Sequence, residues 1–253
     1  MWVSSETIRQ NADWLGLYGL GFVTVWLNAS WVNYVLAEKS ARKRQVLILP
    51  ILMLVFLVAY GQIKLREEIQ EPHMDVGIVH MHQTSGDALA WRAEERWQEI
   101  SQLSEELAKS APAFILWPEA VFDLPAHESF SERIDSLAQT LDTPLLVGAQ
   151  IETDGQKRLN SLLYIDPTKA KQYYAKRALF PFGEYLPLEQ WFAWPEVLEI
   201  ADRFYPGDWS GLIDLNSVPI SASICLEGAK PGWTNANVRQ GAQLLVNVAS
   251  ENW

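Results

Sequence analysis

The chain has 253 residues, a formal net charge of -11 and one cysteine. A single cysteine excludes an intramolecular disulfide framework and any zinc site built from several thiolates. The acidic balance argues against a nucleic-acid-binding protein, which needs a basic face to neutralise phosphates.

Two apolar segments come first in the chain. Residues 14–36 and 45–63 contain no Asp, Glu, Lys or Arg, and each is close to the length of about 20 residues that a helix needs to cross a bilayer. The short segment between them carries Lys39, Arg42, Lys43 and Arg44. This pattern predicts a transmembrane hairpin within region 1–71, with the basic loop in the cytoplasm and everything after about residue 64 on the other side. A pair of buried core helices is the alternative, and the length of the uncharged runs disfavours it.

Residues 72–253 form the second predicted region, which holds 13 Lys and Arg residues against 25 Asp and Glu residues. Short β-rich runs alternate in this region with stretches whose apolar residues recur at helical spacing, and this alternation predicts an α/β layered fold. Helices are predicted around 97–107 and 130–141. Strands are predicted at 75–80, 113–117, 144–150, 161–165, 220–224 and 243–249.

Three side chains with reactive groups stand at places where functional groups collect in such folds, namely strand ends and connections. Glu119 follows the second predicted strand, and Cys225 directly follows the strand at 220–224. Lys176 lies in a long aromatic-rich connection in which no strand is predicted. A carboxylate can accept the proton of a thiol and a lysine can stabilise an oxyanion, so the three groups together would suit acyl transfer. An inert, buried cysteine is the alternative that spacing alone leaves open.

The motifs around these three residues resemble the nitrilase superfamily. They are WPE at 117–119, YAKRALFPFGEYLPL at 174–188 and ICLE at 224–227. The second motif is most similar to that of the membrane branch of the superfamily, the apolipoprotein N-acyltransferases. The resemblance implies a nitrilase-like α-β-β-α sandwich of the α/β class, preceded by the transmembrane hairpin.

The resemblance also implies roles for five residues. Glu119 would be the general base, Lys176 would stabilise the oxyanion, and Cys225 would be the acylated nucleophile. Glu184 matches a further essential acid, for which a carboxylate that caps the turn at Gly183 is the alternative. Glu227 matches the glutamate that follows the nucleophile. No cofactor and no metal are expected.

The implied reaction moves an acyl chain from a membrane phospholipid to the cysteine as a thioester. The chain then passes to the α-amino group of the N-terminal S-diacylglyceryl-cysteine of an apolipoprotein, a step of lipoprotein maturation. The implied location is the bacterial inner membrane, with the catalytic domain on the periplasmic side. A membrane-tethered nitrilase-type amidase, which hydrolyses a C–N bond with the same residues, is one alternative. A non-catalytic membrane scaffold is another.

The chain departs from the family pattern in several ways. Ala178, Phe180 and Leu226 stand where a histidine, a valine and a tyrosine are usual. The family has eight membrane helices, whereas two apolar segments precede the catalytic region here. The chain ends at residue 253, before the last strands of the sandwich, so we expect a C-terminally truncated piece of a longer reading frame, in which activity could be lost.

Two further features of the sequence bear on function. The aromatic run at 191–195 is predicted either to lie on the bilayer surface or to pack on the domain as a plain loop. His80 and His82 lie on one face of a predicted strand, but no third metal ligand is evident nearby. They are therefore predicted to be structural or surface histidines.

Overall fold

The computed structural model describes residues 5–37, 40–67, 74–81, 93–124, 129–153, 155–191, 193–195, 203–208 and 212–250. The chain forms two compact units, Met1–His73 and Met74–Trp253. In the described residues, the first unit is helical and the second contains both helices and strands.

The first unit consists of the helices α1 (Glu6–Arg9), α2 (Ala12–Leu36) and α3 (Ser40–Lys64). α2 and α3 include the two apolar segments of the sequence, and both are long and apolar enough to cross a membrane by length and composition. Gly16, with a φ of 63°, lies in the left-handed region that glycine adopts without steric cost, and it kinks α2 one turn after its start.

A small apolar core and one buried asparagine join these helices. The core consists of Ile8, Val23 and Leu57, with a few partly buried neighbours. Asn11 is fully buried, and its Nδ2 donates to the backbone carbonyl oxygen of Leu57 in α3 at 2.9 Å. Many other apolar side chains of α2 and α3 are exposed. The first unit therefore presents a large apolar surface that it does not itself cover.

Two sheets form the centre of the second unit in its described part. The first has the strand order β1-β2-β4-β5-β6, with β3 paired to β4, and the second has the order β7-β8-β9. The strands of the first sheet are β1 (Gly77–Ile78), β2 (Ile115–Leu116), β3 (Phe122–Asp123), β4 (Leu145–Glu152), β5 (Arg158–Ile165) and β6 (Gln172–Ala175). The strands of the second are β7 (Ile213–Leu215), β8 (Val218–Ile224) and β9 (Leu244–Val248).

Helices cover the outer faces of both sheets. α4 (Ala93–Ala108) and α5 (Ser129–Leu141) pack through residues such as Ile100 and Ile134 on one face of the first sheet. The other face of that sheet packs against the second sheet in a core of aliphatic and tyrosine side chains. On the far side of the second sheet, α6 (Pro231–Arg239) packs on β8. The layers follow the order α-β-β-α, which confirms the predicted fold class.

β4 has an apolar run that suits a central strand. It pairs parallel with β2 and antiparallel with β5, and its first five residues are buried. A strand buried on both faces reads as a continuous apolar run, because neither side chain direction meets water. This central position brings the ends of β2 and β5 into the same part of the sheet.

The sequence predicted some of the strands and missed others. The runs at 144–150, 161–165, 220–224 and 243–249 correspond to β4, β5, β8 and β9, whereas β1 and β2 are only two residues long. β3, β7 and α6 were not predicted. The expectation that the connection with Lys176 has no strand is wrong. Its first residues belong to β6, which pairs with β5 and ends one residue before Lys176. β6 is short, and its alternation of an exposed Tyr173 with a buried Tyr174 spans too few residues to be read as a pattern.

Candidate active site

Three strand ends bring the predicted triad together. Glu119 follows β2 and Lys176 follows β6, both in the first sheet, while Cys225 follows β8 in the second sheet. Lys176 Nζ lies 3.4 Å from Glu119 Oε1, and both side chains are buried. The thiol lies close enough for both charges to act on its pKa. The site is therefore assembled from both sheets of the sandwich.

A close backbone approach at β4 sets the position of Glu119. A Cβ on Gly148 would lie 2.0 Å from the carbonyl oxygen of Pro118 and 2.7 Å from Glu119 Cα, so only glycine permits this packing. The segment is held further by Val121 N, which donates to Gly148 O at 2.8 Å. Glu119 Oε2 accepts a hydrogen bond from the backbone N of Ser250 at 2.9 Å, which ties the carboxylate to the segment after β9.

Lys176 is a buried cation between two carboxylates. Its Nζ donates to Glu184 Oε1 at 2.8 Å and lies 3.4 Å from Glu119 Oε1. Burial by itself lowers the pKa of Lys176, but the hydrogen bond to Glu184 and the negative charges of both glutamates raise that pKa above its usual value. Lys176 is therefore a fixed positive charge at neutral pH, which suits the stabilisation of an oxyanion better than the uptake of a proton.

Glu184 closes a turn and also pairs with the buried lysine. Its Oε2 accepts from the backbone N of Phe180 at 2.7 Å, so it closes the turn in which it lies. Its Oε1 pairs with Lys176 in the interior of the domain. A carboxylate that served only to cap a turn would not need to be 1% exposed and paired with a buried lysine.

Sequence reasoning missed Asn160, which lies in β5. Its Nδ2 donates to Glu119 Oε1 at 2.7 Å and to Glu184 Oε1 at 3.2 Å. Its Oδ1 is buried and has no hydrogen-bond partner among the described residues. A polar residue directly before an apolar strand was the signal that the sequence offered. Asn160 was missed because the predicted strand begins one position later, at residue 161. Asn160 joins the two acids of the site.

Cys225 has a backbone conformation that is uncommon for a residue with a side chain. Its φ is 52°, in the left-handed region, and it begins a short 3-10 turn, Cys225–Ala229, which we call the cysteine turn. Such strain is found at functional sites because it aims a side chain. Burial and the negative charge of Glu119 raise the pKa of the thiol, while Lys176 opposes them. The thiol is protonated at neutral pH and needs a base to become a nucleophile.

Glu227 fixes the cysteine turn to the segment that follows β6. The carboxylate is 2% exposed and accepts four hydrogen bonds. Their donors are the backbone N of Arg177 at 2.7 Å, of Ala178 at 2.9 Å and of Ile224 at 2.9 Å, and the Tyr174 hydroxyl at 3.0 Å. Because this segment carries Lys176, Glu227 sets the position of Cys225 relative to Lys176.

The remaining predictions for the site have mixed outcomes. The described residues contain no group of three or more His, Cys, Asp or Glu that could hold a metal ion. His82 lies outside the described residues. In the aromatic run, Trp191 is exposed, whereas Trp194 packs edge-on against Phe182 and donates to Pro187 O at 2.8 Å. Part of the run therefore packs on the PFGEYLPL segment, and residue 192 is not described.

Curated proteins resemble the chain over nearly all of its length. It is 28% identical over 260 residues to the apolipoprotein N-acyltransferase of Geobacter metallireducens, which covers 96% of this chain and 49% of that protein. It is 27% identical over 270 residues to the apolipoprotein N-acyltransferase of Bdellovibrio bacteriovorus, with the same two coverages. The chain spans about half the length of the curated relatives it matches.

Solved structures share the fold at low sequence identity. The NitFhit protein of C. elegans matches with a TM-score of 0.55 and 18% identity, over 70% of this chain and 44% of that one. An amidase from Nesterenkonia sp. AN1, whose structure shows acrylamide added to its active-site cysteine, matches with a TM-score of 0.53 and 14% identity. That match covers 70% of this chain and 67% of the amidase chain.

The family model for carbon-nitrogen hydrolases matches residues 75–253, which include the two sheets and all five candidate residues. The chain therefore belongs to the carbon-nitrogen hydrolase family.

Proposed function

We propose that this chain is part of a membrane-bound N-acyltransferase that acylates apolipoproteins through a thioester at Cys225. The observation that carries the proposal is the buried contact between Glu119 and Lys176 beside the only thiol of the chain. It combines a proton acceptor, a fixed positive charge and a nucleophile in one site. The curated relatives support the acceptor chemistry, because they are named apolipoprotein N-acyltransferases and align with 96% of the chain.

The first half-reaction forms the thioester. Glu119 takes the proton of the Cys225 thiol as the sulfur attacks the ester carbonyl carbon of a phospholipid. Lys176 stabilises the oxyanion of the tetrahedral intermediate. The carbon–oxygen bond to the glycerol then breaks, and Glu119 returns the proton to the departing alkoxide, so that a lysophospholipid leaves and an acylated Cys225 remains.

The second half-reaction forms an amide. The α-amino group of the N-terminal S-diacylglyceryl-cysteine attacks the thioester carbonyl carbon, and Lys176 again stabilises the oxyanion. The carbon–sulfur bond breaks, Glu119 accepts the proton that the amine loses, and a proton returns to the sulfur of Cys225. If the acyl donor were an amide, so that an amine left as the thioester formed, and water attacked the thioester, the same residues would hydrolyse a C–N bond as an amidase does.

The membrane position is part of the proposal. α2 and α3 would span the inner membrane, with Arg42, Lys43 and Arg44 near the start of α3 on the cytoplasmic side and the second unit on the periplasmic side. The exposed apolar side chains of these two helices support the proposal, because a lipid environment would cover them. Both substrates are lipids of the outer leaflet, so this orientation would bring the site to them.

The test is the intact mass of the whole chain, reconstituted in lipid and incubated with a phospholipid of one known acyl composition. We expect an added acyl mass that is absent from the Cys225→Ala variant. Adding a diacylglyceryl-modified peptide should then remove the mass from the protein and place it on the peptide amine.

Three results would contradict the proposal. An acyl mass on both proteins would mean that Cys225 is not the nucleophile. Release of a free fatty acid, with no acylated peptide, would identify a hydrolase. The absence of any adduct in a correctly folded chain, checked by circular dichroism, would support a non-catalytic role.

A further inference from the structure

Two cations share one aromatic ring beside the cysteine turn. The Arg177 guanidinium carbon lies 4.4 Å from the centroid of the Trp233 ring, and Lys230 Nζ lies 5.1 Å from the same centroid. Lys230 directly follows the cysteine turn, and Arg177 directly follows Lys176. The pair therefore belongs to the two segments that carry the nucleophile and the buried lysine.

Among the described residues, neither cation forms an ion pair with a carboxylate. No described carboxylate forms an ion pair with Arg177 or Lys230, although Asp and Glu outnumber Lys and Arg about two to one in region 72–253. Arg177 Nε donates to the Tyr174 hydroxyl at 3.2 Å, and its two terminal nitrogens have no hydrogen-bond partner among the described residues. Two like charges held on one ring repel each other, so a bound anion would stabilise the arrangement.

The pair is also held in place. The backbone N of Arg177 donates to Glu227 Oε1 at 2.7 Å, and the backbone N of Lys230 donates to the carbonyl oxygen of Glu227 at 2.9 Å. The indole of Trp233 orders both long side chains and lowers the entropy cost of binding. A preordered guanidinium with free terminal donors fits the paired oxygens of a phosphate group.

Exposed apolar side chains stand close to the pair along the chain. Leu226 lies in the cysteine turn, and Phe180 follows Arg177 by three positions, and both are at least 40% exposed. A ligand that suits cations and apolar groups together is an amphiphile with an anionic phosphate ester. A free phosphate ion would use the cations alone.

We propose that Arg177 and Lys230 form a phosphate-binding site that holds the phosphate ester of the lipid acyl donor next to Cys225. This assignment rests on the proposed function, because it takes the acyl donor to be a phospholipid. The site would orient the glycerol ester toward the thiol, and no covalent step takes place at the phosphate.

The experiment measures how a lipid protects Cys225 from alkylation by iodoacetamide, since the chain has one cysteine. The probe is an ether phospholipid with two hexyl chains and a phosphoethanolamine head group, added to the whole chain in neutral detergent. Its ether-linked chains cannot be transferred, so the result does not depend on whether Cys225 forms a thioester. The comparison ligands are the same dihexyl glycerol ether without phosphate and inorganic phosphate alone.

We expect the ether phospholipid to protect better than the phosphate-free ether, and inorganic phosphate not to protect. Lys230→Gln and Arg177→Gln should each weaken protection by the phospholipid about tenfold, the effect of losing one charge-assisted hydrogen bond. Protection by the phosphate-free ether should not change. Arg239→Gln is the matched control, because it removes an exposed positive charge from α6, the helix that carries Trp233, and should change protection by neither ether lipid.

Lys230 is exposed, so Lys230→Gln tests the site even if the Arg177 variant folds poorly. Arg177→Lys gives a second measure, since it keeps the charge but loses the planar pair of donors, and it should retain part of the protection. Equal protection with and without phosphate in the parent chain would overturn the proposal. So would an unchanged constant in Lys230→Gln and Arg177→Gln, or full protection by inorganic phosphate alone.

Discussion

The side-chain amide of Asn160 donates to the carboxylate of Glu119 at 2.7 Å. The same Nδ2 also reaches Glu184, so one amide joins two acids that come from separate segments. An amide between two carboxylates can only donate to both, and this fixes which end of Asn160 faces them. Asn160 and Lys176 therefore both stabilise the negative charges of Glu119 and Glu184.

Replacing Asn160 with aspartate should therefore disrupt the site strongly. Asn160→Asp places a third acidic group where the two glutamates need donors, and we expect it to destabilise the second unit by about 2–4 kcal/mol and to slow thioester formation. Urea unfolding and the rate of acyl adduct formation are the measurements. Ser161→Ala is the matched control, because the buried Ser161 Oγ has no partner among the described residues and its removal should be nearly neutral. Equal effects of the two variants would refute the role of Asn160.

Removing the charge of Glu119 should make the Cys225 thiol more acidic and yet slow thioester formation. The carboxylate raises the pKa of Cys225, so Glu119→Gln should shift the midpoint of the pH profile of Cys225 alkylation to lower pH. Thioester formation should nevertheless fall by about a hundredfold or more, because the proton acceptor is lost. Glu105→Gln, an exposed position in α4, controls for the change in net charge. An alkylation midpoint that stays or rises would show that Glu119 does not raise the pKa of the thiol.

A methyl group on Gly148 should displace the Glu119 segment. Gly148→Ala places its Cβ within 2.0 Å of a backbone oxygen, so that β4 and the segment after β2 must move apart. We expect a loss of about 2 kcal/mol or more in unfolding free energy and a slower acylation of Cys225. Gly155→Ala is the control, since no atom lies within 4 Å of a Cβ there. Acylation at the parent rate in Gly148→Ala would contradict the close-packing argument.

Tyr174 should make the second unit sensitive to alkaline pH. Burial and the negative charge of Glu227 raise the pKa of this hydroxyl to about 12, although Arg177 lowers it, whereas the same group in the unfolded chain titrates near pH 10. Between those values the unfolded state binds fewer protons than the folded state, so stability falls as the pH rises, by about 3 kcal/mol in total.

Tyr174→Phe lacks this titration. At neutral pH it should be about 1–2 kcal/mol less stable than the parent chain, because Glu227 loses a buried donor. The difference should shrink as the pH approaches about 11, while the contributions of other groups cancel between the two proteins. Urea unfolding at both pH values measures it, and a constant difference would contradict the assignment.

The sequence predicted the parts of the site that lie in local motifs. Glu119, Lys176 and Cys225 were singled out because each stands beside a strand or in a recognisable motif, and the structure brings the first two into contact. Asn160 could not be found in this way, since its importance arises only when β5 pairs with β6 and lies between two acids. The significance of Gly148 was hidden for the same reason, because a close approach between segments leaves no local pattern.

The site exists only when the two sheets are packed together. Glu119 and Lys176 follow strands of one sheet, Cys225 follows a strand of the other, and the backbone after β9 reaches back to Glu119. A partly folded chain with separated sheets would hold an ordinary thiol that alkylates according to its own pKa. The rate at which the Cys225 thiol acquires its raised pKa during refolding therefore measures the rate at which the two sheets pack together.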